Sequence, residues 1–265
     1  MSTEAELIYL ADQVYLNRSI RSGRSVQQEV IDSIRAGEMP ERYQRNATTL
    51  RTKDQLCLAM ARVALVGCGG LGGFVLEFLA RAGVGTILVF DPDTIETHNA
   101  NRQLLATTSN MERFKAHVAC ERITDVNPLV RVDPLTIEFS EGMFEDVDVI
   151  VDCLGGAAHR LELQAIAAKA NAPLVSAGVS GWTAVVSTTW PSETGLAEFM
   201  NGQNKSSELV QGIPSPTVGF AASLQATEVI RILTRGQPAL RGTLLVADLA
   251  EMRFSPVSLQ TGYSI

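Results

Sequence analysis

Short apolar runs alternate with longer segments of helical periodicity through most of this chain. Residues 61–67, 86–91, 131–137, 147–152 and 173–177 are apolar stretches rich in β-branched residues and read as buried strands. Residues 74–83, 111–124 and 158–170 carry the spacing of helices that cover a sheet. This alternation predicts an α/β fold with a Rossmann-like, doubly wound, mainly parallel sheet. The pattern changes after residue 180. Residues 181–190 read as a strand in an antiparallel C-terminal extension, 191–211 as a polar loop, 216–233 as a strong helix and 242–248 as the last strand. Upstream, residues 4–17 and 26–36 read as two amphipathic helices, the second with an apolar stripe of Val26, Val30, Ile31 and Ile34. Gly37-Glu-Met-Pro40 breaks that pattern, dividing the chain into an N-terminal helical arm, 1–40, and one large domain, 41–265.

Candidate chemistry lies in the turn between the first two core strands, Gly67-Cys-Gly-Gly-Leu-Gly-Gly73, and in the acid that ends the second, Asp91. Gly67, Gly69, Gly70 and Gly72 allow backbone to approach a phosphate, and the helix that follows offers free N–H groups. Asp91 is placed to accept hydrogen bonds from ribose hydroxyls. Users of NAD, FAD and ATP share this pattern. Beyond it the chain reads Asp91-Pro-Asp-Thr-Ile-Glu-Thr-His-Asn-Ala-Asn-Arg-Gln103, with Lys115 on the next helix. Arg102 and Lys115 suit a triphosphate, which carries charge farther from the turn than a dinucleotide does.

Composition narrows the classes. With 265 residues, 46% of them hydrophobic, the chain can bury a large core. Its net charge of −7, with no basic tract, does not suggest a nucleic-acid surface. The acidic N-terminus does not read as a secretory signal, and no apolar run approaches the roughly 20 residues of a membrane span. The four cysteines show neither disulfide nor zinc spacing, so a reduced cytoplasm is the expected setting. The three histidines form no ligand set.

The glycine turn, Asp91-x-Asp93, Asn99-x-Asn101-Arg102-Gln103 and Lys115 together resemble the HesA/MoeB/ThiF family, bacterial relatives of ubiquitin-activating enzymes. The resemblance runs from about residue 42 to 233, and Arg42-Tyr-Gln-Arg45 is similar to the element that opens the family's domain. It implies that residues 41–265 bind ATP and Mg²⁺ and adenylate the C-terminal Gly-Gly carboxylate of a ubiquitin-like sulfur carrier protein, as in thiamine or molybdopterin biosynthesis. It further implies a homodimer in which Arg45 reaches the partner's ATP. Arg102, Lys115 and Arg45 would be catalytic, with Asp93, Asn99, Asn101 and Gln103 beside the nucleotide. Three departures follow. Relatives carry an Asp-Asn pair where this chain has Gly155-Gly156, so Asp152 or Asp93 becomes the candidate Mg²⁺ ligand. The paired zinc cysteines are absent, so no zinc site is expected. No cysteine follows Cys153, so the 191–211 loop has no thiol and the reaction should stop at the acyl-adenylate. The alternatives are a degenerate member that binds a carrier without turnover, and an NAD-dependent oxidoreductase. The latter leaves the Asn-x-Asn-Arg-Gln stretch idle.

Overall fold

A computed structural model describes residues 7–156, 159–200 and 211–259. The N-terminal segment is a strand and two helices: β1 (Ile8–Leu10), α1 (Asp12–Ser22) and α2 (Val26–Arg35), followed by β2 (Glu38–Pro40). This corrects the helix expected over residues 4–17. Ile8-Tyr-Leu10 is β-prone and pairs in parallel with residues 38–40, so α1 begins only at Asp12. α1 then closes on Gly23 in the left-handed region, with φ 71°. The stripe on α2 holds as read. Val30 and Ile34 are buried with Tyr15, Met39 and Tyr43 against Ala59 and Leu129, which docks the arm on the main body.

A 3₁₀ turn (Glu41–Asn46) leads to α3 (Thr52–Met60), a helix that sequence reading missed. Its buried residues are Gln55, Leu58 and Ala59, so one position of its inner stripe is polar. The Gln55 side-chain Nε2 donates to Ala82 O at 2.8 Å, while its Oε1 is buried with no hydrogen-bond partner among the described residues.

From there the chain alternates as expected: β3 (Arg62–Val66), α4 (Gly70–Ala82), β4 (Thr86–Phe90), α5 (Lys115–Val126), β5 (Arg131–Leu135), β6 (Val149–Asp152), α6 (Arg160–Lys169) and β7 (Leu174–Ser180). An antiparallel part follows, with β8 (Thr183–Thr189), the short α7 (Leu196–Phe199), the long α8 (Ser215–Arg235), β9 (Thr243–Asp248) and β10 (Arg253–Ser258). β10 overturns the expectation that residues 242–248 form the last strand. All of its residues are exposed, so no apolar alternation announced it. Within the expected loop 191–211, residues 196–199 are helical, while 201–210 lie outside the described residues.

The eight strands run in the order β10-β9-β8-β7-β6-β3-β4-β5. Pairs from β5 to β7 are parallel and pairs from β7 to β10 antiparallel. Alternate residues face opposite layers. Val63, Leu65, Val149 and Val151 pack with α4, α5 and α8, whereas Ala64, Val66 and Ile150 pack with α6 and Phe144. The strand order reverses direction between β3 and β6, which opens a crevice at their carboxyl ends.

A side chain from far along the chain ties the carboxyl end of β6 to β7. Gln225 of α8, fully buried, donates its amide to Asp152 O at 2.9 Å and to Val175 O at 3.2 Å.

Candidate active site

The glycine turn is held at its start by Gly67 N–H donating to Phe90 O at 2.8 Å. Gly67 has φ 90°, and a Cβ there would lie 2.7 Å from Cys153 O. Gly72, one turn on, has even less room: its Cβ would lie 2.0 Å from Gly67 O. No other residue fits either position, because each brings helix, turn and β6 into contact. α4 therefore starts directly over the crevice, with its first-turn N–H groups facing a cavity of about 540 Å³.

The cavity brings Gly67, Gly69, Gly70, Asp91, Asp93 and Asn99 together with Arg102, Gln103 and Lys115. Gly72 lies within the turn's packing and does not line it. Asp91 is buried, and its two oxygens accept N–H bonds from Cys68 at 2.6 Å and Asp93 at 2.9 Å. Burial pushes its carboxyl upward, against the pull of Lys115 at 4.0 Å and of those two donors. Lys115 opens α5, only 7% exposed, with Nζ 2.8 Å from Asp93 Oδ2. Asn99 is buried and accepts from Glu96 N–H at 3.0 Å, which shapes the loop that carries Arg102. Arg102 donates to His98 O and Asn101 Oδ1, at 3.1 and 3.0 Å, and is in no ion pair among the described residues. Gln103 is buried beside Gly69.

Asn101 and Arg45 stand elsewhere. Asn101 is exposed and reaches Ile213 O at 3.4 Å, bracing the segment that enters α8. In the 3₁₀ turn, Arg42 is tied to Asp12 and to Val126 O, and Tyr43 accepts from Asn127 Nδ2 at 2.9 Å. Burial pushes the Tyr43 hydroxyl up to about 12, so it stays protonated. Arg45 is left exposed on the outer side of this anchored turn, outside its own chain's cavity and with no partner among the described residues.

Asp152 is 1% exposed, with Oδ2 at 2.6 Å from Arg160 Nη1 and Oδ1 accepting Leu154 N–H at 3.1 Å. Arg160 completes its own set by donating to Gly156 O at 2.8 Å and Leu154 O at 2.6 Å. Both Asp152 oxygens are thus engaged within the protein, and this donor geometry does not suit a metal ligand. Among the described residues no group of His, Cys, Asp or Glu is arranged to hold a metal ion. Cys68 and Cys153 are buried, and burial pushes both thiols up, away from the reactive thiolate. Sequence reading missed the apolar part of the lining: Ile137 and Phe139 beyond β5, and Ile213 and Val218 at the entry to α8, with Val218 packed beside Gly70 of the turn. Its residues come from a strand end and a helix start, and only the fold brings them together.

Residues 43–262 match the ThiF family, and the chain belongs to it. It is 33% identical over 184 residues to the sulfur carrier protein ThiS adenylyltransferase of Escherichia coli, covering 66% of this chain and 72% of that one. It is 29% identical over 215 residues to the molybdopterin-synthase adenylyltransferase of the same organism, covering 77% and 86%. The Aspergillus fumigatus adenylyltransferase and sulfurtransferase uba4 is 39% identical over 48% of this chain but is matched over only 27% of its own length. Among solved structures, that of Escherichia coli MccB with ATP superposes with a TM-score of 0.70 at 22% identity, over 84% of this chain and 72% of MccB. That likeness shows the fold.

Proposed function

We propose that this chain is an ATP-dependent adenylyltransferase that activates the C-terminal Gly-Gly carboxylate of a ubiquitin-like sulfur carrier protein. The observation that carries the reading is the convergence of the glycine turn, Asp91, Arg102 and Lys115 on one crevice at the strand-order reversal. The crevice has both an apolar wall for a base and cations beyond the turn. The relatives named for ThiS and for molybdopterin synthase supply the substrate class.

The chemistry asks little of the protein beyond placement and charge. A C-terminal carboxyl has a pKa of about 3.5, so it arrives ionised and needs no general base. Its oxygen attacks the α-phosphorus in line. A carboxyl O–P bond forms, the α–β bridging P–O bond breaks, and pyrophosphate leaves with the electron pair. Backbone N–H groups at the start of α4 hold the phosphates, and Asp91 holds the ribose. Arg102 and Lys115 neutralise charge that builds on the departing oxygens. Mg²⁺ bound together with the nucleotide would add charge neutralisation at the phosphates. Asp93, Glu96, Glu138 and Glu162 are the exposed carboxylates that line the cavity. The position of Arg45, held outward by an anchored turn, supports its use by a second copy.

ATP–pyrophosphate exchange with a carrier or peptide ending in Gly-Gly tests the reading. Exchange that requires the carboxylate is the expected result; ATP binding without exchange for any carrier would favour the non-catalytic alternative. For the shared residue, mixing Arg45→Ala with Lys115→Ala protomers should restore part of the exchange lost in each. No rescue would separate Arg45 from the site.

A further inference from the structure

Lys115 is a cation of this site that already has an internal anion for a partner. Its Nζ lies 2.8 Å from Asp93 Oδ2, and its backbone N–H donates to Asp93 O at 3.0 Å. The second bond holds the backbone of Asp93 against the first residue of α5, which keeps its carboxylate within reach of the ammonium group. The same clip is closed by Ile95 N–H to Arg113 O at 2.9 Å and Glu112 N–H to Ile95 O at 2.8 Å. Lys115 is enclosed, its side chain 9% exposed, whereas the Asp93 side chain is 68% exposed and lines the cavity. Of the other cations lining the cavity, Arg160 is committed to Asp152, while Arg102 is in no ion pair among the described residues; Glu96, Glu138 and Glu162 add negative charge to the lining.

We infer that Asp93 is a specificity-determining competitor, an internal anion that must yield Lys115 to the phosphates beyond the α-phosphate and reclaims it when pyrophosphate departs. The inference rests on the adenylyltransferase reading. A ligand that recruits Lys115 sees a protein whose competent state is only partly populated, and its apparent affinity falls by that fraction. A ligand that stops at the α-phosphate does not recruit Lys115 and loses nothing. The pair therefore weakens ATP and pyrophosphate relative to the adenylate. After the bond between carboxylate and α-phosphorus forms, this difference favours release of pyrophosphate while the adenylate stays.

Calorimetry with ATP, AMP and pyrophosphate, on the full chain with Mg²⁺ present, tests this in the wild type, Asp93→Asn, Lys115→Ala and the double variant. Asp93→Asn should tighten ATP and pyrophosphate by at least about fivefold and leave AMP unmoved, and in the Lys115→Ala background it should tighten none of the three. Weaker or unchanged ATP binding in Asp93→Asn, with the wild type binding ATP normally, would overturn the inference, and the weaker case would make Asp93 a ligand of the metal–nucleotide complex. Equal tightening for AMP would also overturn it, since that reports lost repulsion without competition for Lys115. A wild type that binds NAD and not ATP would instead bring down the adenylyltransferase reading, and this inference with it.

Discussion

Two carboxylate–cation pairs stand at the ends of two strands of the same parallel sheet, and they behave as opposites. Beyond β6, Asp152 and Arg160 meet at 2.6 Å with both side chains 2% exposed. Every oxygen of that carboxylate has a donor, and the guanidinium also holds two carbonyls of the turn at residues 154–156. Beyond β4, Lys115 meets Asp93 at 2.8 Å, but the acid faces solvent and the cavity. The first pair is fully satisfied and builds the floor. The second is satisfied only until a better anion arrives. Distance does not separate them; what separates them is how many other bonds each partner makes and how much water reaches it.

The largest effect expected from breaking this contrast is at the floor. Arg160→Met leaves Asp152 buried and unpaired, and should cost about 3–5 kcal/mol in denaturant unfolding. Pairing it with Asp152→Asn should recover part of that loss. At the rim the loss should appear in turnover instead. Lys115→Ala should cut carboxylate-dependent exchange by about 100-fold to 1,000-fold, with only a small change in unfolding free energy. Arg102→Ala should behave similarly, since Arg102 makes no ion pair among the described residues. An equally destabilised Lys115→Ala would erase the distinction between the two pairs.

A third cluster gives an intermediate case and the smallest effect. Glu77 on α4 accepts from Arg81 and Arg122 at 2.6–3.0 Å, and those arginines hold its carboxyl below the usual glutamate range against a cost of burial. Both arginines are about half exposed, so solvent screening leaves Glu77→Gln a loss on the order of 1 kcal/mol at neutral pH. A carboxyl depressed in the folded state contributes stability above its unfolded pKa and loses it as pH falls through the folded value. The difference between wild type and Glu77→Gln should therefore shrink to nothing as unfolding is followed to acid pH.

Much of the nucleotide crevice was legible because its requirements are local. Gly67 and Gly72 must lack a Cβ, and Asp91 must end a strand. The parts that escaped depend on distant partners. α3 hid because Gln55, at a core position, finds its acceptor in Ala82. β1 hid inside an amphipathic pattern because its pairing strand lies almost thirty residues later, at Glu38–Pro40. β10 hid because an edge strand with no buried residue leaves no periodic trace. Asp152 looked available from its place at a strand end; Arg160, eight residues on, takes it.

The bridge that Gln225 makes between β6 and β7 has a consequence for how this molecule can be divided. The strand–turn–helix–strand unit around Gly67 looks like a detachable module, yet the end of the neighbouring strand relies on an amide supplied by α8, more than seventy residues further along the chain. A fragment that stops before α8 would leave Asp152 O and Val175 O without that donor and the crevice without Val218. The nucleotide-binding half is therefore a dependent half, and exchanging it with a relative's would succeed only if the long helix travelled with it.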